Sequence, residues 1–559
     1  PTWQVAVETA QVVAGLVTYP DGNPFYVYHT KLWTMFHQAG ALLLLSGVSE
    51  IMLSKLISGL LAAVSFQALS MVVYAFTPDA LLAIGAPFFV FYTRAAEHGS
   101  VYPISLLGTE HTYGVAGLSL AVLIIGLLGS GCYRLGAFML GVAPAVHASW
   151  SAWLYLIAGI AFLLDFRTLA KEVRPAIKYF VAGFAVTVAS LLIQRFVIYD
   201  VPPIDPAISE RYLKGFLKEW DHHRQPAPLV SVGLILNIDV LVMAIVWLAA
   251  FSRDAAPRTK FVVRAAAASA AVSLPLLFVS WISPDNVPGQ LLVLMPSRFL
   301  NFDTFAFVAL MLGLLGLQHR RVLGQLATLA LVVGLFFSYR SMVWDDSAAS
   351  GWFIEQIKFN PWHVFVASSI ALLATSAIAG LRTARPAPAA MPLAAATARA
   401  VSLALVAASL VLTWRQFNPD PFLDRTNEPM FAAMAAETDG LLLTAGQFHL
   451  VQLRTRRPVL LDGGGLDGLP YAVEGAPQME RILGEVYNID LFHPAPEVQH
   501  GGAIPYEVCR VAWEGHSRLK WLEIGHDFNV TQVIAPAAWT IDLPIAAEDP
   551  GLKLYRIPR

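Results

Sequence analysis

The chain has 559 residues, a formal net charge of −2, 56% hydrophobic residues and only 14% charged ones, with mean hydropathy +0.59. Soluble proteins carry about 25% charged residues, so this composition excludes an ordinary soluble enzyme, and the lack of a basic surplus gives no support to nucleic-acid binding. The only cysteines, Cys132 and Cys509, exclude a disulfide framework and a cysteine metal site.

The chain opens on PTWQVAVETAQVVAGLVTYPDGNPFYVYHT, residues 1–30. Gln4, Glu8 and Gln11 recur at helical spacing and share one face, while Trp3, Val7, Ala10 and Ala14 share another. Pro20, Gly22 and Pro24 then end the helix. This is an external amphipathic helix and loop, either a catalytic element or an interfacial helix with Glu8 in its solvated stripe. The chain does not begin with Met and shows no signal peptide. It is read as a fragment that one more N-terminal membrane helix could precede.

Apolar segments follow at 31–48, 55–77, 80–93, 113–130, 135–166, 176–197, 228–251, 261–282, 299–317, 321–338, 361–380 and 397–414. Each is near the length needed to cross a bilayer, about 20 residues. The predicted class is an all-α polytopic membrane bundle of about 12 spans over 31–414, with a C-terminal external α/β domain. The 135–166 stretch is too long for one span, and Pro144 and His147 divide it into two elements, a broken or re-entrant helix.

Basic clusters orient the array. They are Arg167, Lys171, Arg174 and Lys178, then Arg253, Arg258, Lys260 and Arg264, then His319, Arg320 and Arg321, then Arg382, Arg385 and Arg399. Two apolar segments separate each cluster from the next, so all four are predicted cytoplasmic. The loops at 198–227, 283–298 and 339–360, and everything after 415, are then external. Towards the N-terminus the parity is one helix off, unless 31–48 lies along the interface or a short segment is re-entrant.

The external loops carry the chemistry. EHGSVYPISLLGTEHTYG (97–114) brings Glu97, His98, Glu110 and His111, acid and imidazole groups that could hold a divalent metal. Within 198–227, Arg211, Lys214 and Lys218 oppose Leu213, Phe216, Leu217 and Trp220, the pattern of a helix on the membrane surface. The stretch 283–303 places Arg298 at a span's outer mouth, with Asp303 after it, and 339–360 holds Asp345 and Asp346. Asp21 is also open to a turn role, His29, His37 and His147 to interior hydrogen bonding, and Arg298 to snorkelling.

Beyond Trp414 the apolar runs stop. Strands are predicted at 440–445, 457–462, 531–535 and 552–557, and helices at 427–437, 476–488 and 515–528, giving a small α/β domain over 415–559. Expressed alone, that domain is expected to be soluble. LDGGGLDG (461–468) lacks dinucleotide spacing and reads as a loop. The sequence holds no Walker motif, HExxH or GxSxG.

These features together resemble the GT-C superfamily of polytopic glycosyltransferases, in particular its uncharacterised bacterial members: an acid on an external helix ahead of YPDGNPFY, about a dozen spans, an Arg at an outer loop edge, and a C-terminal external α/β domain. The pattern departs from the family in lacking a helix before residue 1 and an Asp-Asp pair in the first loop, since Asp345-Asp346 lies elsewhere. The resemblance implies transfer of a sugar from a polyprenyl-phosphate-linked donor at the outer face of the bacterial inner membrane, with the C-terminus periplasmic. Glu8 or Asp21 would be the catalytic base and Arg298 the phosphate contact, with Asp303, His29, Glu110 and His111 as substrate-binding candidates. A non-catalytic accessory subunit that docks a protein partner through 415–559 is the alternative. A transporter is weaker, since the spans are nearly free of mid-span charge and show no repeat.

Overall fold

The computed structural model describes residues 4–76, 83–87, 113–221, 232–251, 255–294, 306, 428–445, 448–461, 465–499 and 503–558. Two short helices lead: α1 (Gln4–Val13) and α2 (Pro24–Lys31). The turn between them uses Gly22 at φ 75°. Asn23 starts α2 by accepting from the Phe25 and Tyr26 amides, with Pro24 in the first turn.

Helix α3 (Met35–Leu45) has 11 residues, about 16 Å of rise against a hydrocarbon core of about 30 Å. Both its flanks lie beside the C-terminal segment. Before it, Lys31 pairs with Glu474; after it, Glu50 pairs with Arg456 at 2.6 Å. Both ends of the 31–48 segment therefore lie beside the same part of the protein. Leu42 and Leu45 remain exposed along its outer side.

The bundle follows: α4 (Glu50–Phe76), α5 (Tyr113–Gly129), α6 (Tyr133–Val146), α7 (Ala148–Leu163), α8 (Phe166–Val173), α9 (Ile177–Ile193), α10 (Pro206–Glu219), α11 (Val232–Phe251) and α12 (Pro257–Val279). Among the described residues, three stretches are long and apolar enough to cross a membrane: Glu50–Phe76, Phe166–Ile198 and Pro257–Val279. Helices α4 and α5 run side by side in the same direction, joined by Ser65–Ser119 at 2.7 Å and by the Ser130 hydroxyl donating to the Met71 carbonyl at 3.0 Å. A Cβ on Gly126 would lie 2.8 Å from the Val72 nitrogen, so only glycine allows this approach.

The 135–166 stretch divides where the sequence indicated. His147, with φ −158° and ψ 102°, ends α6 and caps α7 by accepting from the Trp150 amide. The two helices fold back as a hairpin, with the Tyr155 hydroxyl donating to the Leu140 carbonyl at 2.9 Å. The basic residues of α8 and of the α12 start share one end of the bundle, where Arg264 pairs with Asp165 at 2.6 Å. The C-terminal segment sits at the opposite end, one length of α4 away, about 40 Å.

That segment contains α13 (Glu428–Ala436), β1 (Leu441–Thr444), α14 (Phe448–Thr455), α15 (Ala476–Tyr487), α16 (Tyr506–Gly515), α17 (Arg518–Phe528), β2 (Val530–Pro536), β3 (Ile545–Glu548) and β4 (Leu552–Arg556). The sheet order is β1-β2-β4-β3, with β1 and β2 parallel and the other pairs antiparallel. The 457–462 run forms only a bridge between Val459 and Leu442 rather than a strand. Buried Arg457 explains much of the local order. Its guanidinium donates to the carbonyls of Met434, Glu437, Asp439 and Gly440 and to the Thr531 hydroxyl, tying β1 to β2 at their start.

The sheet's hydrophobic core is not self-contained. It includes Val12, Val17, Tyr19 and Phe25 from the N-terminal stretch and Tyr212, Phe216 and Trp220 from α10. The apolar face of α10 thus packs on protein instead of lying on a membrane surface, with the Trp220 indole donating to the Leu491 carbonyl at 2.7 Å. An amphipathic period specifies one buried stripe but not whether lipid or protein covers it.

Candidate functional site

Helix α1 lies between the two cores. Ala6, Val7 and Ala10 face the bundle core, as the sequence pattern indicated for Val7 and Ala10. The opposite stripe is buried too: Glu8, Thr9 and Gln11 are each 0% exposed. The solvated-stripe reading of Glu8 is therefore wrong, because α14 covers that face. Gln452 of α14, itself fully buried, donates to the Glu8 carbonyl at 3.2 Å and to the Gln11 side-chain oxygen at 3.4 Å. Its own oxygen accepts from the Tyr19 hydroxyl at 2.7 Å, and that hydroxyl accepts from the Val459 amide at 3.3 Å. Gln11 also donates to Glu50 and to the Leu453 carbonyl, both at 3.3 Å.

Beside Glu8, the Thr9 hydroxyl meets His29 Nδ1 at 2.8 Å. His29 is fully buried in a ring of aromatic side chains, with Tyr28 edge-on at 5.5 Å and Tyr19 and Phe25 each at 6.2 Å between centroids. A second group stacks nearby in the bundle: His37 on Tyr113 at 5.7 Å, and Tyr113 against His147 at 4.9 Å. The Tyr113 hydroxyl donates to the Val146 carbonyl at 3.1 Å. These rings cluster at the sheet-bearing ends of α3, α5 and the α6–α7 hairpin. Polar groups in this setting are poorly screened, so their mutual orientation matters more than at a surface.

The structure buries both Glu8 and His29, and Thr9, the residue after Glu8, bonds His29. Asp21 does not share that environment: it sits exposed in the turn before α2. Its neighbour Tyr26 donates to Asp200 at 2.8 Å, and burial, followed by the Asp200 bond, pushes the Tyr26 hydroxyl up to about 12. Arg298, Asp303, Glu110 and His111 lie outside the described residues, as do Glu97 and His98. Four residues before Arg298, the Leu294 carbonyl accepts from the Trp153 indole of α7 at 3.1 Å. Among the described residues no group of three or more His, Cys, Asp or Glu could hold a metal ion.

The glycine-rich run serves packing where it is described. Gly465 and Gly468 lie against Phe25 and Tyr28; a Cβ on Gly465 would be 2.6 Å from the Phe25 ring. Sequence reasoning did not single out Gln452, Tyr19 or Thr9. The signal available was the polar stripe of α1: three polar residues at helical spacing need a polar partner if buried, but nothing local reveals that a residue 441 positions away supplies it.

Fold and site define an integral membrane protein, mostly helical, with a buried polar seam between an apolar bundle and an α/β segment. No family model matches the chain, and no curated protein matches it. Among solved structures, the chain is similar to ArnT from Cupriavidus metallidurans bound to undecaprenyl phosphate, at 13% identity, over 99% of this chain and 97% of that chain, with a TM-score of 0.39. A likeness at that score leaves the function to be argued from this chain's own residues.

Proposed function

We propose that the protein is a glycosyltransferase of GT-C type, which moves a sugar from a polyprenyl-phosphate-linked donor to an acceptor hydroxyl at the sheet-bearing, external face. The observation that carries this reading is Glu8, a fully buried acid one residue before the Thr9 that bonds His29, at the end of an apolar bundle. A greasy donor tail suits the bundle, and a polar sugar suits the seam.

Glu8 is the base. It takes the proton of the acceptor hydroxyl as that oxygen attacks the anomeric carbon. The bond from that carbon to the phosphate oxygen breaks, and the polyprenyl phosphate leaves with the electron pair, inverting the sugar carbon. A cation must stabilise the departing phosphate, and Arg298 is assigned that role from its place after Leu294. Asp21, at the exposed turn, is assigned to the acceptor side rather than to proton transfer. Asp303, Glu110 and His111 remain candidates for substrate contact on their positions in the sequence.

Lipid analysis of the purified chain tests the reading against a purely structural subunit. Stoichiometric polyprenyl phosphate is expected to co-purify, and to be lost in Arg298→Ala. A preparation free of such lipid, yet bound to a stoichiometric protein partner through 415–559, would favour the accessory-subunit alternative.

A further inference from the structure

The end of the bundle opposite the seam carries a second feature. A groove with a volume of about 380 Å³ is lined by Gly131, Cys132, Tyr133, Arg134, Glu172 and Pro175, among others. It lies where the α5–α6 turn meets α8 and the start of α9. Gly131 adopts φ 82°, and the Arg258 guanidinium lies 3.0 Å from where a Cβ on Gly131 would be. Glycine is thus needed twice, for the turn and for the close approach of the Arg258 side chain.

Arg134 is the cation of the lining, and Lys178 and Arg258 adjoin it. The Arg134 guanidinium lies over the Tyr179 ring at 5.8 Å, and the Lys178 ammonium lies over the same ring at 5.3 Å. Two like charges are gathered on one ring, and Arg258 lies at Gly131 of the lining. None of the three forms an ion pair among the described residues. The one carboxylate lining the groove, Glu172, is engaged by the Tyr133 hydroxyl. Three cations stand against the single carboxylate that lines the groove, and an anion among them relieves the repulsion that remains. Leu135 of the lining and Ile177, next to Ala176 of the lining, are 53% and 55% exposed, at a level where the long apolar helices end.

We propose that this groove binds the phosphate headgroup of an anionic phospholipid of the adjoining leaflet, with Arg134 and Arg258 on the phosphate and the acyl chains running past Leu135 and Ile177. The ligand chemistry is a phosphodiester anion attached to an apolar tail. Lipid is favoured over a free phosphate because exposed apolar side chains adjoin the charged rim. The site is at the far end from Glu8 and is independent of the transfer reaction.

Native mass spectrometry of the full chain, in mixtures of phosphatidylglycerol and phosphatidylcholine, tests this. Phosphatidylglycerol is expected to be retained preferentially. Each juxtamembrane Arg contributes about 1 kcal/mol to anionic-lipid attraction, about 5-fold in affinity. Arg134→Gln with Arg258→Gln should therefore weaken phosphatidylglycerol binding about 25-fold, and leave phosphatidylcholine unchanged. Arg134→Lys with Arg258→Lys should recover most of the loss. Arg510→Gln, at the other end of the molecule, should have no effect. Equal retention of the two lipids, or an unchanged double variant, would overturn the proposal. Displacement of the lipid by millimolar glycerol phosphate would overturn its lipid half in favour of a free phosphate site.

Discussion

Replacing Gln452 by Leu keeps the side-chain volume close to the original and removes three hydrogen bonds from the seam: to the Glu8 carbonyl, to the Gln11 oxygen and from the Tyr19 hydroxyl. Each is worth about 0.5–1.5 kcal/mol net, and a buried hydroxyl that loses its acceptor adds about 1–3 kcal/mol. The Glu8 carbonyl is a helix carbonyl and loses only a secondary contact, so the whole change is set at about 2–4 kcal/mol. The cost falls on local opening of α1 against α14 rather than on the apolar helices. Hydrogen exchange by mass spectrometry reads it directly. Amides of 5–13 should exchange about 30- to 1,000-fold faster, while those of α4 and α5 keep their rates. Tyr19→Phe should give a smaller effect, about 1–2 kcal/mol, and the double variant should be less than additive because the two residues share a bond. Unchanged protection of α1 in Gln452→Leu would refute the idea that the C-terminal segment holds this helix.

His516 is predicted to make stability pH-dependent. Burial lowers its pKa, against a smaller opposing effect of the Val486 carbonyl, with which Nε2 lies at 2.9 Å. The unfolded chain takes up this proton near pH 6.5 while the folded chain resists it. Stability is therefore full above that pH and falls as pH drops below it. Thermal unfolding at pH 7.5 and 5.5 should show the drop, and His516→Gln should reduce it. An excised 415–559 segment is predicted to aggregate or bind hydrophobic dye, contrary to the expectation from sequence. Its core lacks Phe25, Phe216 and Trp220 once it is cut free, and soluble, cooperative unfolding of the fragment would contradict this.

How far the sequence could be read depends on the range of the interaction. Local chemistry was legible: the YPDGNP turn, the break at His147 and the helix that begins at Ala476 all follow from the residues that form them. Membrane class and the clustering of the basic residues of 167–178 and 258–264 at one end follow from composition and charge. Partners distant in sequence were not legible. The stripes of α1 and α10 signalled a buried face, but α14 and Leu491, which cover them, come from beyond residue 440. The 31–48 segment has the apolarity of a span, yet only 11 residues are helical, and the ion pair of Glu50 with Arg456 keeps its far end beside the C-terminal segment. The buried environment that separates Glu8 from Asp21 is likewise a product of tertiary packing, invisible in two acids on one short stretch.

The most direct measurement of the central claim is the rate of sugar transfer from a polyprenyl-phosphate donor by Glu8→Gln. Gln is close in shape to Glu and keeps the helix packed, and unchanged hydrogen exchange over α1 establishes that the fold is intact. Removing a positioned base costs about 10²–10⁴-fold in rate. That loss is predicted for Glu8→Gln with donor binding retained, and a much smaller one for Asp21→Asn at its exposed turn. Full activity of Glu8→Gln, in a folded protein that still binds donor lipid, would contradict the account.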